Sequence, residues 1–278
     1  MDLIHTVADL RARLKGEQSI VLVPTMGNLH AGHLALVELA RQHGHCVVVS
    51  IFVNRLQFEP GGDFDRYPRT LRQDCEQLAR SGCDVTFAPD EAEMYPETQE
   101  ILIAPPAVAH QLDGDFRTGH FQGVVTVVAK LFNIVRPHAV ILGKKDYQQL
   151  HVLSALERQL NFGIRVIGAD TVREPDGLAM SSRNGYLSAD ERAEAVRLQR
   201  NLKHIRREVE AGSRDFARLC EVATADLDSH GWKVDYVAIR SREHLAPAQA
   251  GDRELVVLAA ARIGSTRLID NLEIEAGG

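Results

Sequence analysis

Ile20-Val21-Leu22-Val23-Pro24-Thr25-Met26-Gly27-Asn28-Leu29-His30-Ala31-Gly32-His33 runs from four consecutive apolar residues, through a glycine-bearing turn, into a segment with apolar positions at Leu34, Leu36, Val37, Leu39 and Ala40. That order predicts a strand, a tight turn and a helix. An apolar run without polar alternation fits a strand covered on both faces, as in parallel sheets. In an α/β fold such a turn lies at the carboxyl edge of the sheet, where free backbone N–H groups and the positive end of the helix dipole attract phosphate. His30 and His33, three apart, add two imidazoles to one face of the first helical turn.

Outward from this stretch the pattern repeats. Upstream, Leu3, Val7, Leu10 and Leu14 are spaced as an amphipathic helix over Asp2 to Leu14. Downstream, the second helix reaches about Gln42, and Cys46 to Val53 is a buried strand that completes a βαβ unit. Turn formers at Glu59 to Asp63 lead to a helix from about Tyr67 to Arg80 and a short strand at Asp84 to Ala88. Ile101 to Ala104 is a candidate strand or hairpin arm, and the chain beyond Pro105-Pro106 reads as helical to Asp113-Gly114. A longer helix over Gly119 to Val135, a strand at Ala139 to Leu142, a further helix and a strand at Ile164 to Ile167 continue the alternation. Ser188-Ala189-Asp190-Glu191 is a capping box that opens a helix to about Val209. Another helix runs to about Ser229, and strands follow at Lys233 to Ile239, Glu254 to Ala261 and Thr266 to Asn271. The expected fold is α/β: a Rossmann-like parallel sheet with helices on both faces over residues 1–172, then a smaller α+β lid domain over 173–278.

Composition narrows the function. A chain of 278 residues with 45% apolar content can bury a proper core. The net charge of −6 and pI near 6.1 argue against a nucleic-acid surface or an anionic membrane patch and point to small-molecule partners. No apolar run is long enough to span a bilayer, and Met1-Asp2-Leu3-Ile4-His5 resembles no secretory signal, so the expected location is the cytoplasm. Cys46, Cys75, Cys83 and Cys220 lack metal-ligand or disulfide spacing and are expected as reduced, partly buried thiols.

Two segments carry chemistry. His30-Ala31-Gly32-His33 offers imidazole donors to phosphate oxygens and a glycine that admits a nucleotide to the backbone. Met180-Ser181-Ser182-Arg183-Asn184 places two hydroxyls and a guanidinium in a glycine-flanked loop suited to a triphosphate. Taken alone, the first could be two surface histidines near a helix start and the second a polar turn before a helix. Together they resemble the two signatures of the adenylyl-transferring superfamily that includes class I aminoacyl-tRNA synthetases. Four further blocks sharpen the likeness: Val49 to Phe58 (Val-Ser-Ile-Phe-Val-Asn-Arg-Leu-Gln-Phe), Tyr67-Pro68-Arg69-Thr70, Gly119 to Val124, and Gly143-Lys144-Lys145-Asp146-Tyr147-Gln148-Gln149-Leu150. With Arg267-Leu268-Ile269-Asp270-Asn271 near the C-terminus, the chain resembles the pantothenate synthetase family, the pantoate–β-alanine ligases, over nearly its whole length.

The resemblance implies ATP-dependent joining of (R)-pantoate to β-alanine through a pantoyl adenylate, with AMP and diphosphate released, Mg²⁺ as cofactor, and a homodimer formed through the N-terminal domain. It implies that Met26, Gly27, Asn28, Leu29, His30, Ala31, Gly32 and His33 surround the nucleotide. His33 matches the residue usually called a proton donor. Pantoate's carboxylate is already ionised at neutral pH, however, so both histidines are expected chiefly as hydrogen-bond donors to the transferring phosphoryl group. Gln57 and Gln149 match the pantoate-binding glutamines, and Asn54 and His120 match pocket residues that could equally shape its wall. Gly143, Lys144, Lys145 and Asp146 form the strand-end turn, with Lys145 on phosphate and Asp146 on ribose. A lysine at a helix start is disfavoured unless an anion is near. Val172 matches a backbone contact to adenine, and Met180, Ser181, Ser182 and Arg183 the phosphate grip. Arg117 matches a phosphate or pantoate contact, or a surface ion pair. Asp74 and Gln77, one turn apart, resemble a Mg²⁺-associated pair, although ATP and water could carry the ion.

Three positions depart from the family pattern. Arg55 replaces a usual proline and removes a φ restraint from the loop carrying Gln57. Lys144 stands where an acidic residue is usual and Gln122 where arginine is common. Two other functions fit parts of the pattern: a nucleotidyltransferase resembling phosphopantetheine adenylyltransferase, which would leave the nucleotide on its substrate, and a catalytically silent nucleotide-binding protein. The second domain with its Met-Ser-Ser-Arg loop and the two glutamine blocks argue against the first, and the complete phosphate set of His30, His33, Lys145, Ser181, Ser182 and Arg183 against the second.

Overall fold

A computed structural model describes residues 1–59, 61 and 64–277. Pro60, Gly62 and Asp63 of the turn-rich stretch at Glu59–Asp63 lie outside the described residues. The chain divides into two compact units, Met1–Lys144 with Val152–Asp170, and Lys145–His151 with Thr171–Gly278.

The first unit holds β1 (Asp2–Ile4), α1 (Val7–Leu14), β2 (Ile20–Thr25), α2 (Ala31–Ala40), β3 (Cys46–Ile51), α3 (Leu71–Arg80) and β4 (Val85–Phe87). Two single-turn helices, α4 (Glu91–Met94) and α5 (Asp113–Phe116), precede α6 (His120–Val135), β5 (Ala139–Gly143), most of α7 (Tyr147–Leu160) and β6 (Arg165–Ala169). Its six strands form one sheet in the order β1-β4-β3-β2-β5-β6, with every pairing parallel. Val21, Val23, Val47, Val49, Ala139 and Ile141 face Val37 and Ala40 of α2 and Leu78 of α3 in one core cluster. The alternating residues Leu22, Val48 and Val140 are equally buried, so both faces of the sheet are covered. From β2 the chain winds outward through β3 and β4, then returns to place β5 on β2's other side, with Val21 beside Ala139 and Leu22 beside Val140. This reversal is a topological switch point, where the carboxyl ends of two strands diverge and open a crevice. The turn after β2 and the Gly143-Lys144 end of β5 flank it.

In the second unit, α8 (Ala189–Glu194), α9 (Val196–Glu210) and α10 (Phe216–Ser229) precede an antiparallel sheet of β7 (Lys233–Ser241), β8 (Glu254–Ile263) and β9 (Thr266–Glu275). Leu198, Leu202, Ile205 and Val209 form one face of α9 at helical spacing and pack with Leu255, Val257, Ala259 and Ala261 of β8. This agrees with the α/β class plus a smaller α+β portion.

Local expectations fail in four places. Asp2–Ile4 is an edge strand beside β4, and the first helix begins only at Val7, capped by Thr6, whose hydroxyl accepts the Asp9 N–H at 3.1 Å. The apolar spacing of Leu3 and Val7 belongs to two elements, a coincidence periodicity cannot detect. Ile101 to Ala104 forms no strand; its bonds run to side chains, the Ile103 N–H to Thr126 Oγ1 at 3.1 Å and the Ile101 carbonyl from Gln99 Nε2 at 2.7 Å. Ala107–His110 is a 3₁₀ turn separate from α5, rather than one helix. The Ser188 capping box forms as expected, but the helix it opens ends at Glu194 and a new one starts at Val196. Trp232 Nε1–H bonds Glu194 Oε1 at 3.1 Å at that break, and Arg197 pairs with the same carboxylate.

Candidate functional site

The turn after β2 is held by side chains rather than left open. Gly27 and Asn28 adopt left-handed φ values of +81° and +52°, which glycine and asparagine tolerate best. Asp74, buried on α3, accepts the Asn28 N–H at 3.0 Å, the Leu29 N–H at 2.9 Å and the Thr70 hydroxyl at 3.1 Å. Gly27 N–H goes to Thr25 Oγ1 at 3.2 Å. The expectation of free backbone N–H groups for phosphate is therefore corrected: three of the turn's amides are already engaged inside it, because buried N–H groups must be paired.

What the turn offers instead comes from its histidines. His30 is the N-cap of α2, and its Nδ1 accepts the Gly32 N–H at 3.1 Å. His33 reaches back, its Nδ1 accepting the His30 N–H at 3.3 Å, and the two rings lie 4.1 Å apart. A neutral imidazole whose Nδ1 accepts must carry its hydrogen on Nε2. The capping box thus fixes both tautomers and makes Nε2–H the donor of each ring.

Around Gln57 the first unit builds a second polar group. Asn54, fully buried, donates from Nδ2 to Gln57 Oε1 at 3.2 Å and to the Gly123 carbonyl at 3.1 Å. Gln57 Nε2 rests against Met26 Sδ at 3.1 Å. His120 is buried, and its Nδ1 donates to the Gln57 carbonyl at 3.0 Å, so it secures the backbone there. A Cβ on Gly123 would fall 2.2 Å from the Leu56 carbonyl oxygen, so only glycine lets α6 approach this loop. Arg55 replaces the φ restraint of a proline with contacts: its guanidinium pairs with Glu91 at 3.0 Å and stacks 4.0 Å over Phe64. Lys144 forms an ion pair with Asp170 at 2.8 Å, and Gln122 and Arg117 are half-buried.

The second unit collects the remaining residues on β9. Asn271 donates from Nδ2 to the Lys145 carbonyl at 2.9 Å, and Tyr147 donates to Glu273 Oε1 at 2.8 Å. These bonds explain why 145–151 groups with residues beyond 171 rather than with the sheet it follows. Burial first, then the Glu273 carboxylate, pushes the Tyr147 phenol above its ordinary value. Lys145 and Gln149 are half-buried and Asp146 exposed. Arg173 makes a two-pronged pair with Asp270 at 2.8 and 2.9 Å, while the Val172 carbonyl accepts the Met180 N–H at 3.0 Å. Ser182–Tyr186 forms a 3₁₀ turn packed on β9, and Ser181 Oγ caps it by accepting the Arg183 N–H at 3.2 Å. Accepting at its oxygen leaves the Ser181 hydroxyl hydrogen to donate elsewhere.

The family model described as pantoate-beta-alanine ligase matches residues 2–273. The chain belongs to the pantoate–β-alanine ligase family. Pantothenate synthetase of Nitrosospira multiformis is 57% identical over 274 residues, covering 99% of this chain and 98% of that protein. Its counterpart from Thiobacillus denitrificans is 56% identical, covering 99% and 97%. Among solved structures, pantothenate synthetase of Thermus thermophilus superposes with a TM-score of 0.94 at 44% identity, covering 99% of this chain and all of that one. The Francisella tularensis pantoate–β-alanine ligase, solved with β-γ ATP and β-alanine, gives a TM-score of 0.82 at 33% identity over 98% of this chain and 97% of that chain. The chain is accordingly a ligase.

Asp74, one of the two residues expected beside magnesium, is engaged within the turn: N–H and O–H donors reach both of its oxygens. No cluster of three acidic, histidine or cysteine ligands occurs among the described residues. No helix described is long and apolar enough to cross a membrane. The four thiols are free, and burial pushes Cys46, Cys83 and Cys220 up to about 11, which makes them poor nucleophiles. Sequence reading missed Asp74 as the clamp of the turn, Tyr95 behind Asn54, and Arg173 with Asp270 beneath the Met180 loop. Asp74 carried a signal for a different task, beside magnesium, and Asp270-Asn271 carried one as part of a family block without an assigned task.

Proposed function

We propose that the chain condenses (R)-pantoate with β-alanine using ATP, through a pantoyl-adenylate intermediate. The histidine capping box carries this reading. Each Nδ1 accepts a backbone N–H, so the donor hydrogen of each neutral ring is on Nε2 at a helix N-terminus, and such donors stabilise negative charge without transferring a proton. A carboxylate nucleophile needs that and no base. One pantoate carboxylate oxygen attacks the α-phosphorus, the bond to the bridging oxygen breaks, and diphosphate leaves. The neutral amine of β-alanine then attacks the acyl carbon, AMP departs with the carboxylate oxygen, and the amine proton passes to water. His30 and His33 serve the α-phosphoryl oxygens. Lys145, Ser181, Ser182 and Arg183 supply cation, hydroxyls and guanidinium to the phosphates, with Gly143, Lys144, Asp146, Val172 and Met180 at the nucleotide. Gln57 and Gln149 hold pantoate. The Francisella relative's complex supports ATP and β-alanine as ligands. Magnesium, on this reading, arrives with the triphosphate and its water shell. A cytoplasmic homodimer joined through the first unit completes the proposal, on the family resemblance.

Exchange of labelled diphosphate into ATP, with pantoate present and β-alanine absent, tests the adenylate. Exchange is expected. A folded preparation that makes pantothenate yet shows none would exclude a reversible adenylate step.

A further inference from the structure

Tyr95 ends α4 (Glu91–Met94) just before Pro96, and its hydroxyl meets Asn54 Oδ1 at 2.7 Å. We infer that Tyr95 and Asn54 are positioning residues that fix the side-chain amide of Gln57 as a hydrogen-bond donor toward the acid substrate. The inference rests on the proposed role of Gln57 in holding pantoate and adds the polarity of that contact and its source.

Amide orientation at Asn54 is decided by an atom with no choice. The Gly123 carbonyl can only accept, so the Asn54 group 3.1 Å from it is the NH₂. Its oxygen then faces Tyr95, which must donate, and the second hydrogen of the NH₂ reaches Gln57. The Gln57 atom receiving it is Oε1, which turns Nε2 the other way. Every bond in the chain has one direction, from Tyr95 O–H to the Gly123 carbonyl on one branch and to Gln57 on the other. Such directed networks hold side chains more firmly than their members would separately.

At its far end, Gln57 Nε2 points at Met26 Sδ, 3.1 Å away. A thioether is a weak acceptor, so this donor is placed without being committed. A carboxylate or hydroxyl oxygen arriving there would be a better partner. Tyr95 is itself pinned: Lys130 Nζ sits 4.8 Å over its ring and bonds Gln99 Oε1 at 2.8 Å. Burial first, and the Glu91 charge second, push the phenol above its ordinary value, which keeps the hydroxyl protonated at any working pH. The set thereby favours oxygen acceptors on the acid substrate and disfavours an analogue presenting an N–H at the same place.

Steady-state kinetics on three variants, with pantoate and ATP varied separately, test this. Tyr95→Phe keeps the ring and removes the donor, and should raise KM for pantoate by roughly 3- to 10-fold, the range of one neutral hydrogen bond, with KM for ATP and the melting temperature near the parent values. Asn54→Asp loses both donors and should raise it further. Gln57→Ala should raise KM for pantoate at least as much. If Gln57→Ala does so while Tyr95→Phe matches the parent, the relay is wrong and the substrate role of Gln57 stands. If Gln57→Ala has no effect on pantoate, that role itself fails. Equal increases in both KM values for Tyr95→Phe would mark a merely structural tyrosine and overturn the relay. Should Asn54→Asp not fold, Tyr95→Phe still decides.

Discussion

The turn from Met26 to His33 and the loop from Val172 to Arg183 both carry phosphate-suited residues, but they are secured differently. In the turn, the clamp acts at the tip: Asp74 holds the amides of Asn28 and Leu29, His33 caps the His30 N–H and His30 caps the Gly32 N–H. In the loop, the long-range clamp is at the foot, where Arg173 meets Asp270, 97 residues on. Nearer its tip, bonds spanning five residues or fewer include Ser181 Oγ to the Arg183 N–H and Asn184 Nδ2 to the Ala179 carbonyl. A group that must stay aligned with a transferring phosphoryl profits from the first design. A group that grips and releases a polyphosphate profits from the second, since short-range bonds can reform locally.

The largest effect should come from the foot of the loop. Asp270→Ala leaves the Arg173 guanidinium largely buried without its carboxylate, and losing one partner of such a pair costs about 3–5 kcal/mol. Urea unfolding should show that loss. A loss under about 1 kcal/mol would mean that water replaces the carboxylate at little cost, and that the loop does not depend on this pair.

The same contrast explains what could be read from sequence. Strands such as Cys46–Ile51 were legible because a short unbroken apolar run marks a strand covered on both faces, and helices such as His120–Val135 because apolar positions recur at helical spacing. The Ser188 cap was legible because its partner Glu191 lies three residues away. Asp2–Ile4 was not, because a three-residue edge strand is defined by its partner Val85–Phe87 and not by its own pattern. Clamps were invisible for the same reason: Asp74 acts on residues 45 and 46 positions away, and Tyr95 on one 41 positions away. Resemblance nominated residues for the ligands, and the residues that hold those side chains in place required coordinates.

A second substitution separates the two tasks of His30. Asparagine is a good N-cap, so His30→Asn should keep the Gly32 N–H bonded and stability within about 0.5 kcal/mol, while removing the Nε2–H donor. ATP–diphosphate exchange should fall by about 10²-fold, equivalent to about 2.7 kcal/mol of transition-state stabilisation. Near-normal exchange would reduce His30 to a cap and leave His33 as the donor. The comparison would then lose half its catalytic meaning for the turn.

The smallest of the three effects bears on the tip of the turn and on magnesium together. Asp74→Asn retains one acceptor and sets an NH₂ group against the N–H or O–H donors that the lost oxygen served. Leaving a buried donor unpaired costs about 1–3 kcal/mol, so a value near 2 kcal/mol is expected in urea unfolding. KM for ATP should rise with it, because the left-handed Gly27-Asn28 backbone no longer has its anchor. A magnesium ligand would behave differently: the concentration of Mg²⁺ giving half-maximal rate would increase and unfolding without metal would be unchanged. Asp74 as clamp requires the reverse, reduced stability without metal and an unaltered Mg²⁺ dependence once ATP is saturating.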